Sequence, residues 1–92
     1  MTVTVRLPSV LREFAGGRPT VAVPDGATVG DVLDRLAADL PALERRIRDE
    51  RGVIRRHVNV FVGETNVRDA AGLATSAPDG AEVVVIPAVS GG

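Results

Sequence analysis

Apolar and polar residues alternate from the first positions of the chain. In TVTVRLP, Val3, Val5 and Leu7 fall on one side of an extended backbone and Thr2, Thr4 and Arg6 on the other, the period-two mark of a half-buried strand. PTVAVPDG gives a second short strand with Val21 and Val23 inward, ended by Pro24-Asp25-Gly26. Gly16 and Gly17 in REFAGG suit the turn between the two, which should therefore pair antiparallel. The period then lengthens. In ATVGDVLDRLAADLP, Val29, Val32, Leu33, Leu36, Ala37 and Leu40 share one face, while Asp31, Asp34, Arg35 and Asp39 fall mainly elsewhere, which predicts the main helix. Thr28 is placed to cap its first turn, with Asp31 three residues on. Pro41 opens a second, short helical segment, PALERRIRDE, where a missing amide costs little.

Period two returns at His57. HVNVFV sets Val58, Val60 and Val62 against His57, Asn59 and Phe61. The turn GET and a short strand NVR follow, then the loop GLATSAPDG with Pro78-Asp79-Gly80 as its turn, and AEVVVIP is the last strand. The order strand, strand, helix, strand, strand, strand predicts an α+β fold. The first and last strands are both rich in Val and Ile, so they are expected side by side and parallel at the sheet centre. This fits a β-grasp, ubiquitin-like roll, a mixed sheet of about four to five strands with one main helix across one face. Residues 1–86 form that domain, and residues 87–92 a flexible Gly-Gly tail.

Composition narrows the function. A chain of 92 residues, 45% hydrophobic and 25% charged, supports one globular core and not two. The net charge of −1 gives no overall field toward nucleic acid or an anionic membrane. No apolar run approaches the ~20 residues of a membrane span, and MTVTVRLP reads as a strand rather than a signal peptide, so a cytoplasmic protein is expected. Cysteine is absent, which removes disulfides, thiolate metal sites, a thiol nucleophile and a side-chain persulfide. All 11 basic residues are arginine, so no lysine offers an amine for a Schiff base or an isopeptide bond.

Catalytic residues are scarce. The single histidine, His57, starts a strand on the expected outer face and has no partner to make it a base. The arginine-rich stretch ERRIRDERGVIRRH interleaves Glu44, Asp49 and Glu50 and carries no aromatic residue for base stacking, so it reads as a solvated helix and loop rather than a nucleic-acid site. No bound metal or cofactor and no enzymatic activity of its own are expected.

The ending PAVSGG stands out against this background. A Gly-Gly terminus lacks Cβ atoms and can enter a channel barely wider than a peptide. Its one functional group is the Gly92 carboxylate. Joined to a nucleotide phosphate, that carboxylate becomes an acyl adenylate. Sulfur can then displace the nucleotide and leave a thiocarboxylate. With no cysteine in the chain, no internal thiol intercepts the activated acyl group.

These residues resemble the MoaD/ThiS family of ubiquitin-like sulfur carriers: VVVIPAVSGG, HVNVFVGE and the DG-x-E-V approach carry the likeness. VTVRLPSVLR, GLAT and the PAVSGG ending resemble most closely the CysO-type branch, which serves cysteine synthesis. The resemblance implies a β-grasp fold and ATP-dependent adenylation by a separate E1-like enzyme of the MoeB/ThiF type, with no cofactor bound by the carrier itself. Gly92 would hold the thiocarboxylate, Gly91, Ser90 and Val89 would thread beside it, and Pro87 and Ala88 would complete the leader. Implied partners are a cysteine synthase using O-phosphoserine and a zinc metalloprotease that releases the added cysteine. MoaD-type carriers instead insert into the large subunit of molybdopterin synthase.

The strand faces add a docking surface. With Val83 and Val85 inward beside Val58 and Val60, the residues Val84, Ile86 and Phe61 form an apolar strip on the open side of the sheet, rimmed by arginine at Arg6. A second copy of the chain covering that strip is the competing reading. Other roles stay open from the sequence: sulfur supply to molybdopterin, thiamin or another metabolite, a protein modifier conjugated through Gly92, or a passive interaction domain whose tail is incidental.

Overall fold

The computed structural model describes residues 2–24 and 26–87. The alternating valines make the first two strands, β1 (Thr2–Arg6) and β2 (Thr20–Pro24), antiparallel with Val3 opposite Val23 and Val5 opposite Val21. All four are buried. Their connection is longer than a tight hairpin, because Ser9–Ala15 form a 3-10 helix. Gly16 and Gly17 close it at positive φ, 67° and 85°, a backbone region that only glycine enters without steric cost. Ala15 is buried, and Leu11 and Phe14 pack against the core.

The main helix, α1, spans Val29–Asp39. Thr28 caps it as expected: its hydroxyl accepts from the Asp31 amide at 3.1 Å, and the Asp31 carboxylate accepts from the Thr28 amide at 3.1 Å. Two of the amides left over at a helix start are thereby satisfied. Val29, Val32, Leu33 and Leu36 are buried against the sheet, while Ala37 and Leu40 lie at the half-buried margin of that face. Pro41 opens the second helix, α2 (Pro41–Ile47), from its first turn. It is shorter than PALERRIRDE because Asp49 ends the run in a turn, accepting from the amides of Arg51 and Val53 at 2.9 and 3.2 Å.

The remaining strands are β3 (Val58–Val62), β4 (Thr65–Asn66) and β5 (Glu82–Pro87). The sheet order is β2-β1-β5-β3-β4, the mixed sheet of a β-grasp fold. As expected, β5 lies beside β1 and parallel to it, with Val5 opposite Val83. It is antiparallel to β3, with Val60 opposite Val85. Eight valines, two from each of β2, β1, β5 and β3, face α1 and form the floor of the core. Parallel strands buried in the sheet interior are the usual home of such β-branched runs. The expected strand NVR stops after Asn66: Val67 turns inward to begin a 3-10 segment, Val67–Asp69, and is fully buried. A second 3-10 segment, Gly72–Ala74, lies inside the expected loop. No described helix is long and apolar enough to cross a membrane.

Candidate functional site

The open face of the sheet gathers the four docking residues expected from the sequence. Arg6 stands opposite Val84, and Val84 opposite Phe61, so the three form one row across β1, β5 and β3, extended by Asn66 of β4. Ile86 occupies the next row, opposite Asn59. Val84 and Phe61 are half-buried by their neighbours, whereas Ile86 keeps 44% of its surface exposed. The strip is continuous toward the end of β5.

Polar groups border the strip on both sides. Arg6 pairs with Glu82 at 3.3 Å, with both side chains about half exposed, and such exposed pairs contribute little to stability. On the β3 side, Arg68 donates from Nη1 to Asn59 Oδ1 and from Nη2 to the Arg55 carbonyl, both at 2.8 Å. Asn66 donates from Nδ2 to the same Asn59 oxygen at 3.3 Å. Sequence reasoning missed this cluster. The only signal was that Asn59 alternates with Phe61 on one face; nothing in NVRD announces that the 3-10 turn brings Arg68 back to meet it.

At the end of β5, a groove of about 200 Å³ is lined by Arg6, Pro8, Arg12, Val84, Ile86 and Pro87. Arg12 is held there by donating from Nε to the Leu7 carbonyl at 3.2 Å. Strand β5 runs through Pro87, one residue past the expected end of the domain. The tail positions Ala88, Val89, Ser90, Gly91 and Gly92 lie outside the described residues.

The arginine-rich segment is less solvated than expected. Arg48 is 7% exposed and donates at 2.9 Å to both the Glu44 and Asp34 carboxylates. Burial alone would lower its pKa, but these hydrogen bonds and the two negative charges outweigh burial and raise it. Arg46 lies over the Phe14 ring, 4.8 Å from its centroid, a cation–π contact. Arg51 pairs with Asp49 at 3.0 Å. The Arg51 hydrogen bond, helped by the backbone amides of Val53 and Arg51, holds the Asp49 carboxyl below the usual carboxylate range. His57 is exposed. Among the described residues, no three His, Cys, Asp or Glu side chains converge as metal ligands would.

Residues 5–92 match the ThiS family. The sulfur carrier protein CysO of Mycobacterium tuberculosis is 39% identical over 94 residues, covering all of both chains. Small archaeal modifier protein 1 of Haloferax volcanii is 43% identical over 83 residues, 89% of this chain and 91% of that protein. Among solved structures, the BexX/CysO complex of Amycolatopsis orientalis contains a chain that superposes with a TM-score of 0.88 at 34% identity, covering 98% of this chain and 99% of the other.

Proposed function

This chain belongs to the ThiS family of sulfur carriers, as a carrier rather than an enzyme, and we propose that it carries sulfur on Gly92 for the synthesis of cysteine. A Gly92 carboxylate oxygen attacks the α-phosphorus of ATP on a separate E1-like enzyme of the MoeB/ThiF type. A P–O bond forms and pyrophosphate leaves. Hydrosulfide then attacks the acyl carbon; a C–S bond forms, the C–O bond to AMP breaks, and the carbon keeps its oxidation level. On a cysteine synthase the sulfur of the resulting thiocarboxylate replaces the phosphate of O-phosphoserine, a C–S bond forming as the C–O bond breaks and phosphate leaves, and a zinc metalloprotease hydrolyses the added cysteine from the carrier. The use of ATP fits a cytoplasmic setting.

Full-length similarity to the CysO sulfur carrier is the observation that supports this reading. The strip formed by Phe61, Val84 and Ile86, with Arg6 at its edge, serves as the docking face for the activating enzyme. Gly91, Ser90 and Val89 thread into its active site, and the residues beyond Pro87 act as the inserted tail. The BexX/CysO complex supports docking onto a partner protein as a property of carriers of this kind.

A second reading is favoured by one observation, the 43% identity to an archaeal protein modifier. Conjugation through Gly92 to lysines on other proteins needs the same adenylate, so the product distinguishes the two. Intact-mass spectrometry of the protein from its own cells, without alkylation or strong base, tests both. Exchange of one carboxylate oxygen for sulfur, absent from a variant lacking Gly92, is the carrier outcome. Isopeptide adducts that survive thiols, with no thiocarboxylate, would replace it with the modifier reading.

A further inference from the structure

Charge is unevenly placed along the chain. Residues 44–57 hold six arginines against three acids, while the rest holds five arginines against nine acids. Within that basic segment, Arg48 is consumed internally by Glu44 and Asp34, and Asp49 by Arg51. Arg45, Arg46, Arg56 and His57 remain exposed, and Arg55 half-buried. A shallow groove of about 510 Å³ is lined in part by Arg51, Arg55, Arg56 and His57.

The sheet register gives this groove its place. Pro87, the last residue of β5, pairs with Val58, and the Val58 amide donates to the Arg55 carbonyl at 3.0 Å. The Arg55–His57 turn therefore adjoins the point from which the chain continues toward Gly92. On the opposite flank of β5, Arg12 shares a groove with Pro87. The root of the tail is bordered by arginine on both sides.

We propose that this arginine collar, chiefly Arg55 and Arg56 with Arg12 across the strand, docks an acidic rim around the channel of the enzyme that receives the tail. The proposal rests on the carrier reading above. Basic side chains around a segment inserted elsewhere steer its approach and fix its direction by attracting opposite charge. Nucleic acid is the weaker match, because three acids interrupt the basic segment and it contains no aromatic side chain for stacking.

The test titrates the native chain, an Arg55→Gln/Arg56→Gln variant and an Arg12→Gln variant against the adenylating enzyme from the same cells. It is run without ATP at several salt concentrations, then repeated as sulfide-dependent loading. Three- to tenfold weaker binding of the Arg55/Arg56 variant, the size expected for losing exposed charge pairs, is predicted, with a flatter salt dependence. In loading, KM should rise while kcat holds. Equal affinity and equal salt dependence for all three proteins would overturn the proposal, as would tighter, arginine-dependent binding of a single-stranded oligonucleotide. Salt-sensitive, arginine-dependent docking without any loading would uphold the collar and defeat the carrier reading, so the two fail separately. Circular dichroism of each variant confirms that the fold is kept.

Discussion

Phe61 and Val84 stand directly opposite each other on antiparallel strands, on the side of the sheet turned away from α1. Their contact helps the sheet only modestly, since a cross-strand pair of this kind contributes about 0.2–1 kcal/mol. Phe61→Asp should therefore fold, with a stability loss of about 1 kcal/mol. If the strip is the docking face, loading by the adenylating enzyme should fall about thirtyfold, the loss expected for a hot spot near 2 kcal/mol. Unchanged loading kinetics in a folded variant would remove Phe61 from the docking surface.

Arg48 holds two carboxylates together from inside the protein. Its contact with Asp34 is screened, because that side chain is 72% exposed, but Glu44 is only 12% exposed. Arg48→Ala leaves the Glu44 charge without its partner and should cost about 3–5 kcal/mol, read from urea midpoints. A double change, Arg48→Met with Glu44→Leu, should recover most of that loss. The pH sign is fixed by the raised Arg48 pKa. A cation with a raised pKa stabilises the fold at all pH values below its unfolded pKa, so the wild-type advantage should stay constant between about pH 5 and 9.

Much of the fold was legible because its strands and main helix obey one period each. Val3, Val5, Val21, Val23, Val58, Val60, Val83 and Val85 all point where alternation placed them, and the Thr28–Asp31 cap follows from residue type and spacing alone. The 3-10 segments escaped, since Ser9–Ala15 and Val67–Asp69 are too short to display a period. Burial of Arg48 escaped too: its partners Glu44 and Asp34 lie on different helices, and only the angle between those helices brings them together. On the open face, strand parity brought Phe61, Val84, Ile86 and Arg6 to one side, whereas the Asn59–Arg68 contact depended on the fold of an irregular turn.

Asp49 supplies an acid-side prediction. Its carboxyl is held below the usual range by Arg51 and by two backbone amides. A depressed carboxylate stabilises the fold above its unfolded pKa, about 4, and that contribution is lost as pH falls through the lower folded value. Asp49→Asn should lower the urea midpoint at pH 7, and the gap to wild type should narrow steadily below about pH 4. A gap independent of pH would show that the carboxylate charge does not stabilise the turn.

Thr28→Ala removes half of the reciprocal cap on α1. A loss of about 1 kcal/mol is expected, which in a domain of this size lowers the thermal midpoint by roughly 4–8 °C. Thr28→Ser should recover nearly all of it by the same capping geometry.

Gly26 is required for a reason other than its turn. A Cβ there would lie 2.5 Å from Val32 Cγ2, and Val32 is fully buried in α1. Gly26→Ala should cost about 1–3 kcal/mol by overpacking. Combining it with Val32→Ala should be less harmful than the two separate losses predict, a coupling measurable by a double-mutant cycle of unfolding free energies.

The parallel seam between β1 and β5 bears on how the protein matures during synthesis. The last of the described strands in sequence is the middle strand of the sheet, so β1 and β3 have nothing between them until residues 82–87 emerge from the ribosome. Contacts this distant in sequence form late and slowly. The interior therefore closes only around the strand that leads to the terminal glycines, and a half-made chain presents neither a finished face nor a tail. On the carrier reading, strand order thus acts as quality control: an activating enzyme would receive Gly92 only from a chain whose sheet has closed.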